Sequence, residues 1–212
     1  AERALTVTGD TPLDDVKRLA LMVSHAGYFK DITGGRTQQV AQAMVKILAG
    51  QEIGLGPIAS MRGVYLTDRG DIAYMANIVA SSIKRSQRYD YRVAETTNDE
   101  CVITFYEMPI GHEVPGGQAL TYLPVGTATF SMADAERAGL ASKDNWKRYP
   151  KAMLWARALS AGARMFCPDL FDGPVYTPEE VGVDGVDDPD EYIDATLAPA
   201  PNRLGEPLEP TS

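Results

Sequence analysis

Apolar positions along the chain are spaced first for helices, then for strands, then for a helix again. Leu13, Val16, Leu19 or Ala20, and Val23 recur at helical intervals, predicting a helix over 13–24. Thr11 is placed to cap it, Pro12 fits its first turn, Asp14 and Asp15 suit its positive end, and Gly27 ends it. A second helix over 38–50, capped by Thr37, buries Val40, Met44, Ile47 and Leu48. EIGLGPIAS, within 51–60, reads as an apolar, glycine-rich turn. Residues 62–66 and 71–75 read as two strands joined by TDRG in a hairpin. A helix over 77–88 turns Ile78, Ser81 or Ser82, and Ile83 inward, with Lys84, Arg85 and Arg88 at its C-terminal end. YRVAET, CVITFYE and 125–130 are β-branched or alternating and read as three further strands. The glycine- and proline-rich 108–124 between the last two is a flexible insert or hairpin loop. Ser131 caps a short helix that Gly139 ends. Residues 151–166 form the last helix, with Pro150 in its first turn and Pro168 as its stop. Its core stripe holds Leu154, Ala158 and Met165, with Leu159 and Phe166 beside it.

This order predicts an α+β fold, a small antiparallel sheet with a hairpin, flanked by several helices. Residues 1–11 read as a flexible N-terminus, 12–181 as one domain, and 182–212 as an acidic, proline-rich, disordered tail. The 212 residues are enough for a sizeable core. No apolar run reaches the length of a membrane span, and AERALTVTGD has no signal-peptide core. Cys101 and Cys167 lie far apart and make no metal-ligand spacing, which favours free thiols in a reducing cytoplasm.

Charge alters the picture. The net charge is −9, and residues 177–212, with ten acids and one base, carry all of it. The remainder is neutral overall but uneven: 143–164 holds six bases and one acid, and 84–92 four bases and one acid. A neutral body with two basic segments suits a protein that meets a polyanion on one surface, and many others besides. In 142–181, Lys143, Lys147 and Arg148 form a cationic loop around Trp146. Arg157 and Arg164 are two helical turns apart on one face, about 10 Å along the axis. Lys151 is within reach of them, and small Ser160 and Ala161 lie between, so the group resembles a phosphate cradle. Pattern alone suits a solvated helix side better, with Arg157 paired to a carboxylate such as Asp169 and with Trp146 and Trp155 as packing residues.

Other chemistry is missing. There is no Walker lysine motif, GxSxG, HExxH or CxxC, and GLGP is no phosphate loop. His25 and His112 suit a helix end and a loop. Asp68 and Asp71 suit a solvated turn, and the acidic run 184–194 lacks the positions of a calcium loop. No catalytic residue, metal site or cofactor is expected.

Three blocks, in order, resemble the RecT family of phage and prophage single-strand DNA annealing proteins. They are AGQEIGLGPIASMRGVYLTDRGDIAYMANIVASSIKRSQRYDYRV, FSMADAERAGL, and NWKRYPKAMLWARALSAGARMFCPDLFDGPVYTPEE, together covering most of 36–181. The spacing of Lys151, Arg157 and Arg164 after Trp146 is more distantly similar to that of the phage lambda beta annealing protein. The resemblance implies ATP-independent binding of single-stranded DNA and annealing of complementary strands in recombination, without enzymatic turnover. It also implies homo-oligomeric rings or helical filaments on single-stranded and annealed duplex DNA, and a partner exonuclease, in the cytoplasm of a bacterial host. On this reading Lys147, Arg148, Lys151, Arg157 and Arg164 face phosphates, and Lys84, Arg85, Arg88 and Arg92 are secondary. Trp146, Tyr89 or Tyr91 would stack on bases or sugars. Two rival readings are a scaffold that binds only proteins and a metal-dependent nucleic-acid enzyme.

Overall fold

A computed structural model describes residues 13–27, 29, 32–67, 70–108, 122–171, 173, 175–178 and 180–181. Thr11, Pro12, Asp68, His112, most of the 108–124 loop and the 182–212 tail lie outside the described residues. The fold is α+β: among the described residues, seven helices accompany a two-stranded and a three-stranded antiparallel sheet. No helix among them is long and apolar enough to cross a membrane. The chain divides into two units, Ala1–Val79 with Pro168–Val186, and Ala80–Cys167 with Asp187–Ser212.

In the first unit, α1 (Leu13–Ala26) buries Val16, Ala20 and Val23 along one stripe, and Gly27, at φ 61°, ends it. The second helix, α2 (Arg36–Glu52), starts earlier and ends later than the pattern suggested. Gly35 occupies its N-cap with no side-chain cap bond, so Thr37 lies inside the helix. Its buried side is Ala43, Lys46, Ile47, Ala49 and Gly50, with Val40 and Met44 packed at the margin. Leu48 is 38% exposed, against expectation. On the buried side a Cβ on Gly50 would collide with the side chain of Ser60. Ser60 belongs to α3 (Pro57–Gly63), a helix where the sequence suggested a turn through residue 60 and a strand from residue 62. Pro57 starts it without losing a hydrogen bond. Val16, Ala20, Val23, Ile32, Ala43, Ile47 and Met61 make one core cluster.

The expected hairpin follows as β1 (Val64–Leu66) and β2 (Ile72–Tyr74), paired Val64 to Tyr74 and Leu66 to Ile72. The late segment returns to this unit. The Tyr74 N–H donates to the Tyr176 carbonyl at 2.8 Å, and the Tyr74 and Phe171 rings are 6.2 Å apart. Helix α4 (Ala76–Arg85) holds the division between the units and stops three residues short of Arg88. Gln87, at φ 58°, turns the chain into the next strand.

In the second unit, β3 (Tyr89–Thr96), β4 (Glu100–Glu107) and β5 (Leu123–Ser131) form a sheet with β4 in the centre. Cys101, Ile103 and Phe105 of β4 are buried and alternate with half-buried Val102, Thr104 and Tyr106. Ser131 caps α5 (Met132–Arg137) in a reciprocal capping box with Asp134. Residues expected as a cationic loop form a one-turn helix, α6 (Asp144–Arg148). The last helix, α7 (Pro150–Phe166), buries Leu154, Ala158 and Leu159, but Met165 is 68% exposed and so leaves the predicted stripe.

The helix α7 packs on the sheet through glycine. A Cβ on Gly162 would collide with the Phe105 ring and press on Ala128, and one on Gly126 would collide with Phe166. Phe105 is fully buried and cannot give way, whereas half-buried Phe166 ends its helix. Gly162→Ala should therefore destabilise the protein by about 1–3 kcal/mol, and Gly126→Ala by less. Urea unfolding of the two variants checks the order; equal midpoints would remove this contact from its central place.

Candidate nucleic-acid interface

Every nucleic-acid-binding candidate named from the sequence falls within Ala80–Cys167. The sheet of this unit separates them. Phe130, paired with Cys101, marks one end; Glu107, paired with Tyr89 and Leu123, marks the other. The ends are about 20 Å apart by strand rise.

At the Glu107 end the cations are engaged. Lys84 pairs with buried Asp90, donates to the Tyr91 carbonyl at 2.9 Å, and stands 4.6 Å from the Tyr91 ring centroid. Arg88 donates from Nε and Nη2 to Glu107 Oε1 at 2.9 and 2.7 Å, and its guanidinium lies 4.9 Å from the Tyr89 ring. This fork ties the bend after α4 to the end of β4. Arg85 is exposed and donates to Ser82 Oγ at 3.3 Å. Arg92 is half-buried opposite Thr104. Tyr89 is 4% exposed, so its ring is a packing surface as folded. Tyr91 is half-buried, with its ring 6.3 Å from Phe105. Burial, and then the charge of Asp90, push its phenol up to about 12.

At the other end, Phe130 is the hub. The Trp146 ring packs 6.1 Å from it and the Arg157 guanidinium 5.1 Å from it. Trp146 is 1% exposed, and its indole N–H is buried without a hydrogen-bond partner among the described residues. It anchors α6 to the sheet rather than presenting a ring to solvent. Arg157 is half-buried, with Nε and Nη1 enclosed, and Arg164 is half-buried further along α7. Ser160 is fully buried and donates to the Arg157 carbonyl at 3.3 Å. The space it leaves is therefore interior, which removes it from the expected phosphate cradle.

Lys147, Arg148 and Lys151 differ from all of these. They are exposed, and their side chains make no ion pair or hydrogen bond among the described residues. They surround the start of α7, which has no acid in its first turn and a Tyr149 N-cap with no side-chain bond. Cations at the positive end of a helix reverse the usual arrangement and leave this corner electropositive. Asp144 is the nearest acid in sequence, and it lies in the first turn of α6.

Other chemistry is sparse. Cys101 and Cys167 are buried free thiols, and burial raises Cys101 to about 11. His25, in the last turn of α1, has Nδ1 2.6 Å from the Leu21 carbonyl. Among the described residues no three His, Cys, Asp or Glu side chains gather into a metal-holding group. Sequence reasoning missed Phe130, Asp90 and Glu107, whose roles depend on strand register. It also passed over Gly162, whose signal was a glycine inside a helical pattern.

Two measurements check this placement. In a Trp155→Phe background, Trp146 emission should resist iodide quenching and stay unchanged when oligo(dT) is added; quenching in either case would make it a contact residue. The raised Tyr91 pKa favours the folded state fully below pH 10.0, the ordinary phenol value, and this contribution is lost as pH climbs through about 12. Tyr91→Phe should therefore flatten the decline in stability measured by urea unfolding between those values; an unchanged decline would mean the phenol is not shielded.

Neither a scan against protein-family models nor a search of curated proteins finds a match to this chain.

Proposed function

We propose that this protein binds single-stranded DNA through Lys147, Arg148 and Lys151 and anneals complementary strands without ATP. The observation that carries this reading is the exposed cationic corner where α6 meets α7, whose side chains have no ion pair among the described residues. Charges left without counterions inside a fold are available to a polyanion, and releasing condensed counterions from DNA drives such binding. The resemblance of three sequence blocks to the RecT annealing proteins supports the same conclusion. Arg157 and Arg164 take a secondary part, as half-buried cations further along α7. Arg85, and to a lesser degree Arg92, extend the surface at the far end of the sheet. Lys84 and Arg88 chiefly hold the fold together through Asp90 and Glu107.

Annealing needs no hydrolysis. Two strands repel through their phosphates and fold on themselves. A row of protein subunits along one strand lowers that repulsion and holds the strand open, and base pairing supplies the free energy. The resemblance to the RecT proteins adds homo-oligomers on DNA, a partner exonuclease that exposes single strands, and work in the bacterial cytoplasm.

Annealing of complementary oligonucleotides without ATP, followed across salt concentrations, tests the reading. Acceleration is expected, falling steeply with salt. The triple variant Lys147→Ala, Arg148→Ala, Lys151→Ala should reduce the log–log salt slope of binding to oligo(dT) by about 2, at about 0.7 per phosphate lost. Failure of the parent protein to bind or anneal at low salt would overturn the proposal. An unchanged slope in the triple variant would move the interface elsewhere.

A further inference from the structure

Two segments of this chain carry opposite charge. Residues 182–212 carry eight acids and one base, and five of the acids, Asp187, Asp188, Asp190, Glu191 and Asp194, fall within eight residues. Lys147, Arg148 and Lys151 stand exposed at the uncapped start of α7, with no anionic partner among the described residues. The 31 residues after Val181 reach about 100 Å when extended. That reach is several times the width of a domain of the second unit's size, about 30 Å. Tethering also places them near the cations at an effective concentration on the order of 1 mM.

We propose that the acidic 182–212 segment docks on the Lys147, Arg148 and Lys151 surface of its own chain and competes with DNA for it. The competition rests on the DNA reading above; the docking does not. A tail at about 1 mM that binds with a dissociation constant of about 0.1 mM lowers the apparent DNA affinity about tenfold. The effect is purely electrostatic, so it weakens as salt rises. A long DNA strand, with many phosphates, displaces the tail more readily than a short one.

Carbodiimide cross-linking of the full chain without DNA tests docking directly, because it joins a lysine amine to a carboxylate only when the two touch. At low salt, links from Lys147 or Lys151 to carboxylates within 184–194 are expected, and they should vanish at 0.5 M salt, about a 4 Å screening length. Mixing unlabelled and nitrogen-15 protein separates links within one copy from links between copies. No links, links spread evenly over Lys17, Lys84 and Lys143 as well, or links only between copies would each overturn the proposal. For competition, a full-length variant carries Asp184→Asn, Asp187→Asn, Asp188→Asn, Asp190→Asn, Glu191→Gln and Asp194→Asn. It should bind oligo(dT) about tenfold more tightly than the parent at low salt, with the gap closing as salt rises. Equal affinities would overturn competition. Links present with no DNA binding by either protein would uphold docking and remove the DNA reading instead.

Discussion

At Gly162 the backbone of α7 lies so near the sheet that the Phe105 ring occupies the place a side chain would take. Much of the second unit follows from that approach. Helix α7 is held against β4 and β5 along its length, with Phe166 over Gly126 at one end and Arg157 over Phe130 at the other. Phe130 in turn receives Trp146, which fixes α6. The exposed cations at the joint of α6 and α7 are thus presented by two short chains of packed rings, not by a free loop. Dispersion contacts of this kind are individually small but leave little freedom once the void is filled.

The same unit sorts its cations by what surrounds them. Strand register brings Asp90 and Glu107 beside Lys84 and Arg88, and those charges are spent on closing the bend between α4 and β3. Arg157 lies on an aromatic face, where its planar guanidinium suits partial burial. Only at Lys147, Arg148 and Lys151 is positive charge concentrated, exposed and unanswered among the described residues. Residues that look alike in a sequence window therefore have different work in the fold.

The strands and the long helices were legible because their spacing is regular: β3, β4, β5, α1 and α7 all lie close to where alternation or helical period places them. Of the short helices, α5 was legible from its Ser131 cap, and α3 and α6 were not. The start of 57–63 looks like a turn because it follows the glycines of GLGP, yet Pro57 at a first helical position needs no N–H and close packing of Ser60 on Gly50 rewards the helix. Residues 144–148 are too short to show a period, and only Trp146 packing on Phe130 selects a helical turn there. The cationic candidates were visible as types and spacings. Which of them are paired was not, since Asp90 and Glu107 come alongside only through the Gln87 turn and the pairing of β3 with β4. Trp146 showed the same limit, because a tryptophan in a basic segment reads equally as a wall of the core or a platform for bases.

The order of the chain gives the Gly162 contact a temporal meaning. The apolar face of Cys101, Ile103 and Phe105 is complete once β4 is made, but its cover, α7, ends nearly 60 residues later. At roughly 5–20 residues per second, that face waits several seconds during synthesis. The first unit waits as well, since Phe171 and Tyr176, which close over Tyr74, come later still. The first unit thus waits through the making of Ala80–Cys167, and the nascent chain is most open to aggregation and to chaperones just before its last helix emerges.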